Sequence, residues 1–397
     1  MLETRIAKEL AYISQAGLAR RITELYFVNP AQAQDRTGKT YLVLASNNYL
    51  GFTHAPEVIE AASRAALKFG TGSSGSRLTT GGTFIASELE KRLADFKHSE
   101  SALVFNTGYM TNLGILYGLL QTGDVVFSDE LNHASIIDGC RISRCKVVVY
   151  KHNDMADLQR LLETEIVTGQ RFIVTDGVFS MDGDIADLPS LAVLKKQFNA
   201  CLIVDDAHGV GVIGNDGSGT ASHYGLTDVI DLQVGTLSKA LAAEGGYVAG
   251  KKILIDYLIN RSRPFIFSTA LAPATLAAAN AALLLLQTQA SKYLDSLRAN
   301  SRLMRRLLLE GGLNVVEGIT PIIPVVIGEA GLTMQFADRL KSKGIFVSGI
   351  RPPTVPRGES RLRITVTAAH CEEQLRQAAQ IITALWQELK HGEKKEG

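Results

Sequence analysis

Between about Ser101 and Ser268 the chain alternates short apolar runs with longer segments of helical periodicity. The runs are rich in Val, Ile and Phe, lack polar alternation, and read SALVF, DVVFS, KVVVY, RFIVTD, CLIVDD, DLQVGT, GGYVAG and PFIFS. Strands that are buried on both faces have this pattern. Segments with a helical pattern, such as 112–120 and 188–198, separate several of the runs. The alternation predicts βαβ units and a mostly parallel sheet with helices on both sides.

The two ends of the chain have different patterns from this central region. Residues 1–28 are predicted to form an amphipathic N-terminal helix. After about Leu286 the pattern changes to longer, charged helices and a few strands, including PIIPVVIG and RLRITVT. The last predicted helix, Glu372 to Lys390, has apolar residues on one face. We therefore predict an α/β fold with an N-terminal helical arm over 1–45, a large α/β domain over 46–285 and a smaller α+β C-terminal domain over 286–397.

Composition excludes several classes of protein. The 397 residues include 41 Lys and Arg against 40 Asp and Glu, so the net charge of +1 provides no general basic field for nucleic acid. Four scattered cysteines without a CxxC pair argue against a disulfide scaffold and a structural zinc site. The N-terminus lacks the apolar core of a signal peptide, and the apolar stretch 271–286 is too short to span a membrane. We expect a cytoplasmic protein that binds no metal, nucleic acid or membrane.

Two glycine motifs are weak indications of nucleotide binding. A GxGxxG motif occurs at Gly70, Gly72 and Gly75, but the preceding AASRAALKF has a helical pattern, whereas a dinucleotide motif follows a strand. An NAD-dependent oxidoreductase is an alternative that rests on this motif alone. The GKT at 38–40 is predicted to be a turn, because Ala33 occupies the position of the first P-loop glycine.

Polar residues follow several predicted strands, at the edge where open α/β sheets bind ligands. Asp205 lies at the end of CLIVDD with His208 three residues later, and Lys239 follows DLQVGT among small, weakly charged residues. A lysine in such surroundings has a lowered pKa, and its neutral amine can form a Schiff base with a carbonyl. Pyridoxal 5'-phosphate (PLP) requires an acid for its pyridine nitrogen and a lysine for its aldehyde. A surface lysine and a structural ion pair are the alternatives for these residues.

Further residues at the same edge supply candidate contacts to a phosphate and a flat ring. Residues 108–112 follow SALVF and begin a helix, whose free N–H groups and dipole form an anion site. Thr236 and the pair 268–269 can add hydroxyl groups. His133 lies just past DVVFS, where an imidazole could stack on a ring, and Ser180 also lies beyond a strand end. Each is an ordinary loop residue alone, but their shared position favours one site.

The order of these motifs resembles that of the α-oxoamine synthase family of fold-type I PLP enzymes. The matching segments span residues 46–370 and read SNNYLGF, GTGSSGSR, FNTGYMTN, DELNHASIIDG, FSMDGDIADLP, VDDAHGVGVIG, GTLSKAL, GGYVAG and RPPTVPRGESRLRITVTAAH. The resemblance implies the fold-type I architecture and a homodimer with shared active sites. It also implies that an amino acid condenses with an acyl thioester and loses CO2.

The resemblance assigns roles to individual residues. Lys239 would bind the cofactor aldehyde and act as acid and base, and Asp205 would pair with the pyridine nitrogen. His133 would stack on the cofactor ring and help to orient the acyl substrate. The other implied contacts are His208 and Ser180 at the phenolic oxygen, Gly108, Tyr109 and Thr236 at the phosphate with Thr269 from a second subunit, and Asn47 and Arg363 at the amino acid carboxylate.

Within the family, the segment IRPPTVP is most similar to members that join L-alanine to a pimeloyl thioester in biotin biosynthesis. The thioester would be carried by coenzyme A or by a carrier protein. Arg20 and Thr354 match positions that contact the acyl substrate. Two positions depart from common family residues: Ala86, where many members have histidine, and Ala242, where glycine is common. Because of Ala86, the resemblance does not define which acyl chain is preferred. Ala242 affects the packing near Lys239.

Three alternatives stay open within the resemblance. Glycine with acetyl-CoA, or serine with a long acyl-CoA, would make the protein a different member of the family. A catalytically silent partner subunit is the third, and the presence of Lys239, Asp205 and His208 argues against it.

Overall fold

The computed structural model describes residues 1–15, 18–20 and 22–396, with side chains described up to residue 390. The α-helices are α1 (Leu2–Gln15), α2 (Pro56–Phe69), α3 (Phe84–Phe96), α4 (Gly108–Leu119), α5 (Ala134–Ser143), α6 (Met155–Thr164), α7 (Leu188–Phe198), α8 (Thr220–His223), α9 (Lys252–Arg261), α10 (Arg263–Ile266), α11 (Pro273–Glu310), α12 (Ala330–Ser342) and α13 (Glu372–Glu396). The strands are β1 (Tyr26–Asn29), β2 (Gln32–Gln34), β3 (Thr40–Val43), β4 (Ser101–Phe105), β5 (Val125–Asp129), β6 (Lys146–Tyr150), β7 (Arg171–Asp176), β8 (Ala200–Asp205), β9 (Leu232–Thr236), β10 (Gly246–Gly250), β11 (Ile322–Gly328), β12 (Ile345–Phe346), β13 (Ser348–Ile350) and β14 (Ser360–Thr365).

A seven-stranded sheet forms the centre of the molecule, in the order β4-β10-β9-β8-β7-β5-β6. Strand β10 runs antiparallel to both neighbours, and the pairs from β9 to β6 are parallel. Alternate residues of the strands enter two separate cores: Val174 and Ile203 pack with α4, α5 and α9, while Ile173 and Leu202 pack with α6 and α7. The mostly parallel sheet with helices on both faces is therefore confirmed. Burial on both faces explains the unbroken apolar runs of the central strands, whereas Val147 and Val149 of the edge strand β6 are exposed.

The predicted strand PFIFS is wrong, because Arg263–Ile266 forms the short helix α10. Pro264 lies in its first turn, where the missing N–H of proline costs no hydrogen bond. The apolar character of the segment serves packing instead: Phe265 is buried and its ring meets that of Phe105 edge-on, with centroids 5.8 Å apart.

The predicted helix over 1–28 is confirmed over Leu2–Gln15, while residues 16, 17 and 21 lie outside the described part of the chain. Residues Tyr26–Asn29 form β1, which pairs antiparallel with β2. A turn at Pro30 joins β1 to β2, and it is stabilised by the Asn29 side chain, which accepts a hydrogen bond from the backbone N–H of Ala31 at 3.0 Å. Strand β3 continues this small sheet and pairs in parallel with β12. Part of the predicted arm is thus joined to the C-terminal region.

The C-terminal region contains the predicted mixture of strands and helices. PIIPVVIG and RLRITVT form β11 and β14, which lie with β13 in an antiparallel sheet. Helix α13 buries the apolar face predicted for it, including Ile382 and Trp386. Helix α11 crosses the expected domain limit at 285, and its one non-helical residue, Gln289, lies close to that limit. No helix in the described part of the chain is long and apolar enough to cross a membrane.

Candidate active site

A cavity of about 220 Å³ opens at the carboxyl ends of the central strands. Loops that follow β5, β7, β8 and β9 and the first turn of α4 surround it, as expected for an open α/β sheet. The cavity is lined by Thr107, Gly108, Tyr109, His133, Ser135, Asp176, Val178, Ser180, Asp205, Ala207, His208, Thr236, Ser238 and Lys239. Eight of the residues predicted from sequence meet in this one space: Gly108, Tyr109, His133, Ser180, Asp205, His208, Thr236 and Lys239.

One end of the cavity is rich in hydrogen-bond donors. The Thr107 side chain caps α4 by accepting a hydrogen bond from the Met110 N–H at 3.0 Å. The first residues of the helix, Gly108 and Tyr109, line the cavity with the N–H groups that a helix N-terminus leaves free. The hydroxyls of Thr236 and Ser238 lie 2.7 Å apart. A Cβ on Gly246 would lie 2.6 Å from the nitrogen of Gly108, so only glycine lets β10 pass this close to the first turn of α4. This donor set fits a phosphate group.

The Asp205 carboxylate is held by two donors. It is 6% exposed, and one oxygen accepts from the Asn112 side-chain amide at 2.6 Å while the other accepts from the Ala207 N–H at 3.0 Å. Asn112 also donates to Ser135 at 2.9 Å, which ties the carboxylate to the start of α5. The sequence analysis placed Asn112 in the anion segment but missed this contact, because it joins residues far apart in the chain.

Lys239 is partly buried in the cavity beside two carboxylates. Burial lowers the pKa of its ammonium group, while the charges of Asp205 and Asp176 act in the opposite direction. The predicted lowering of the lysine pKa is therefore present, and its cause is removal from water. The arrangement favours a population of neutral amine, which is the form that attacks a carbonyl.

Each of the two histidines in the cavity has a hydroxyl group within hydrogen-bond distance of its Nδ1 and a lowered pKa. His208 is buried, and its Nδ1 lies 2.6 Å from the hydroxyl of Tyr49; burial, with the charges of Lys239 and Arg363, lowers its pKa well below the usual range. His133 begins α5, with Nδ1 2.7 Å from the Ser135 hydroxyl, and burial lowers its pKa also. Both rings are therefore neutral near pH 7 and can each offer one donor and one acceptor.

Asp176 is a site residue that the sequence analysis missed. It ends β7 directly beside Asp205 at the end of β8, and its carboxylate accepts the backbone N–H of His133 at 2.9 Å. Burial and the charge of Asp205 raise its pKa well above the usual value. The acid at the end of RFIVTD was the available signal, since it occupies the same strand-end position as Asp205.

Arg363 and Asn47 meet as expected, next to the cavity lining. An Arg363 Nη1 hydrogen bonds to the Asn47 side-chain oxygen at 3.2 Å, and its Nε donates to the carbonyl of Ser180. Arg363 is 6% exposed, and its Nη2 has no partner among the described residues. A buried guanidinium with a free donor suits a carboxylate of a ligand.

Arg20 and Thr354 lie together elsewhere, in an opening of about 1020 Å³ between the N-terminal segment and the loop after β13. Thr269 does not line the cavity of this chain; it pairs with Ser76, and its carbonyl accepts from Asn106 at 2.6 Å. The prediction that Thr269 serves a second subunit therefore stays a prediction. Ala86 is fully buried on α3 and does not line the 220 Å³ cavity.

The described residues contain no cluster of three or more His, Cys, Asp or Glu side chains suited to a metal ion. The cavity brings together an amine, acids, neutral imidazoles and an anion site. An anion site, an acid and a lysine within one cavity fit PLP; they are supplied by the residues that follow β4, β8 and β9.

The family described as aminotransferase class I and II matches residues 39–382. The chain belongs to this family, and the predicted fold-type I PLP transferase architecture is confirmed. An 8-amino-7-oxononanoate synthase from Trichlorobacter lovleyi is 50% identical over 385 residues, which are 97% of this chain and 98% of that protein. The predicted resemblance thus extends over nearly the whole chain.

Two solved structures have the same fold. Serine palmitoyltransferase from Sphingomonas wittichii superimposes with a TM-score of 0.91 at 30% identity, covering 98% of this chain and 97% of that one. The 8-amino-7-oxononanoate synthase from Francisella tularensis superimposes with a TM-score of 0.76 at 30% identity, covering 89% and 98%. The sequence and structural similarities therefore lie within one group of acyl-transferring enzymes.

Proposed function

We propose that this protein condenses L-alanine with a pimeloyl thioester to give 8-amino-7-oxononanoate, CO2 and the free thiol, as a cytoplasmic step of biotin biosynthesis. The observation that carries the proposal is the 50% identity to an 8-amino-7-oxononanoate synthase across 97% of the chain. The cavity supports it, because Lys239 and Asp205 face one space beside an anion site. The acyl carrier is coenzyme A or a carrier protein.

The residues of the cavity fit the functional groups of PLP. The first turn of α4 with Thr236 and Ser238 would bind the phosphate, and Asp205 would keep the pyridine nitrogen protonated. Lys239 would hold the cofactor at its aldehyde carbon. When bound, PLP accepts the electron pair that deprotonation or loss of CO2 leaves on the substrate carbon.

Proton transfer at the substrate carbon falls to Lys239. Its neutral amine can remove the Cα proton of an alanine bound in the cavity and later return one. Its lowered pKa supports this role, because an ammonium group could not accept a proton. His133, the N-cap residue of α5, donates a hydrogen bond to the thioester oxygen as negative charge develops there.

Arg363 binds the carboxylate of alanine. Its Nη2 is buried without a partner among the described residues, while Asn47 and Ser180 hold the rest of the guanidinium in place. A carboxylate at this position would remove an unsatisfied buried donor. Arg20 and Thr354 contact the acyl chain from the second opening, and in a homodimer Thr269 would help to bind the phosphate in the cavity of the other subunit.

A serine palmitoyltransferase activity is the second candidate, since the higher TM-score of 0.91 belongs to an enzyme of that name. A panel of paired substrates separates the candidates: alanine with pimeloyl-CoA, serine with palmitoyl-CoA, and glycine with acetyl-CoA. Release of free thiol is measured for each pair. We expect the first pair to give the highest kcat/KM, and a higher value for either other pair would replace the proposed substrates.

A further inference from the structure

The chain contains a charged histidine outside the cavity that no step of the proposed reaction uses. His152 lies in the loop after β6, with Nδ1 3.0 Å from an Asp129 carboxylate oxygen and Nε2 2.9 Å from an Asp184 carboxylate oxygen. Ionised carboxylates only accept hydrogen bonds, so both ring nitrogens must carry protons. The geometry therefore requires an imidazolium.

The surroundings agree with this charge state. Burial alone would lower the pKa of His152, but its hydrogen bonds to Asp129 and Asp184 outweigh burial and raise the pKa to about 10. The side chains of His152 and Asp129 are 22% and 1% exposed, so solvent screens the pair weakly. The ring also meets Phe179 edge-on, with centroids 4.4 Å apart.

Asp129 connects His152 to the loop that carries His133. One Asp129 oxygen also accepts the Leu131 N–H at 2.9 Å, and the other accepts the Asn153 N–H at 3.0 Å. Residues 129–133 are therefore folded around this carboxylate, directly before the start of α5. A shift of Asp129 would move the backbone that places the His133 ring in the cavity.

Asp184 connects His152 to the hairpin that carries Ser180. The hairpin is closed by the Val178–Ile185 bridge and by the Phe179 N–H, which donates to the Asp184 carbonyl at 3.0 Å. The Asn153 side chain also donates to Asp184 at 3.1 Å. The hairpin in turn presents the Ser180 carbonyl that Arg363 contacts. His152 thus contacts both the loop that carries His133, through Asp129, and the hairpin that carries Ser180, through Asp184.

We infer that His152 is a positioning residue whose imidazolium joins the His133 loop to the Ser180 hairpin and so fixes the width of the cofactor cavity. It acts through Asp129, Asp184 and Phe179 and touches neither cofactor nor substrate. The inference rests on the proposed function insofar as the cavity binds PLP. The hydrogen bonds of His152 to Asp129 and Asp184 are present in the protein without cofactor.

His152→Phe tests the inference, because it keeps the aromatic edge contact and removes both donors. The matched control is His223→Phe, an exposed histidine that meets Tyr224 edge-on at 4.8 Å. Two measurements are made on folded full-length protein: the Kd for PLP, and amide hydrogen exchange of the cofactor-free form over 129–133 and 177–187. We expect His152→Phe to raise the Kd about tenfold or more and to speed exchange in both segments. The control should change neither.

If His152→Phe exchanges faster but its Kd for PLP is unchanged, His152 has only a structural role and the inference is overturned. Exchange at the wild-type rate in both segments of His152→Phe would also overturn it. If His152→Phe fails to fold, Asp184→Asn decides, since Asp184 is 32% exposed and its loss leaves the Asp129 contact. That variant should raise the Kd for PLP and speed exchange in 177–187; wild-type values for both would overturn the inference. Wild-type protein that binds no PLP would instead refute the proposed function, and the exchange data would still report on the hydrogen bonds of His152.

Discussion

Ala242 has a backbone conformation that alanine rarely adopts, with φ at +53°, three residues after Lys239. Its N–H donates to the Lys239 carbonyl at 3.1 Å, so the turn that presents the lysine depends on it. The resemblance noted glycine as common at this position, and the positive φ supplies the physical reason. The departure affects the stability of the turn and leaves the reacting groups in place.

Ala242→Gly should therefore stabilise the protein. Glycine adopts a positive φ without the steric cost of a Cβ, so we expect unfolding to cost about 0.5–1 kcal/mol more. Thermal and urea unfolding of the cofactor-free protein measure the change. Ala243→Gly is the matched control, because φ at Ala243 is not positive; it should destabilise by about the same amount through the entropy of the unfolded chain. A destabilising Ala242→Gly would contradict the account.

At the scale of elements, the central strands were predictable because both faces are buried and the sequence records that burial directly. PFIFS misled the prediction, since an apolar run is also what a short buried helix contains. The strand-end rule found Asp205, His208 and Lys239. It did not find the contacts of Asn112 or His152, because these join segments that lie close only in the folded chain.

One such contact joins the end of α3 to the loop after β8. The side chains of Lys97 and Asp206 are 0% and 2% exposed and lie 3.2 Å apart, and Asp206 also accepts the Thr220 N–H at 2.9 Å. Asp206 directly follows Asp205, which lines the cavity, so this buried pair anchors the end of β8 that presents Asp205.

Lys97→Met should destabilise the fold strongly, by about 3–5 kcal/mol, because it leaves the Asp206 carboxylate buried without its cation. Lys91→Met, at an exposed position of α3, is the control and should change the free energy of unfolding by less than about 0.5 kcal/mol. Urea unfolding compares the two. Equal effects of both substitutions would show that the buried pair does not anchor this strand end.

At the scale of the whole molecule, none of the residues of α1 is fully buried against the rest of its own chain. All of Leu2–Gln15 is accessible apart from partial burial of Ile13, and Leu2, Ile6, Leu10 and Tyr12 are exposed apolar side chains. An apolar helix face of this size is typical of an interface. Together with Thr269, which does not line the cavity of its own chain, it supports the proposed homodimer.

Light scattering on a sizing column should therefore give twice the chain mass of 42.8 kDa. Replacing Leu2, Ile6 and Leu10 together by Ser should shift the protein towards monomer, since the apolar area available for association falls. Replacing the exposed residues Lys68, Lys91 and Lys292 by Ser is a control without loss of apolar area. A fully active wild-type monomer would contradict the shared active site.

The central claim is that Lys239 moves a proton at the α-carbon of an amino acid held by PLP. Exchange of the L-alanine α-proton with solvent deuterium, followed by NMR with purified protein and PLP, tests this step without any thioester. The account predicts exchange and a visible absorbance band in the wild-type protein, and loss of exchange by at least about a thousandfold in Lys239→Ala, since the proton-transfer group is removed. Exchange at the wild-type rate in Lys239→Ala, or wild-type protein that neither exchanges alanine nor absorbs with PLP, would contradict it.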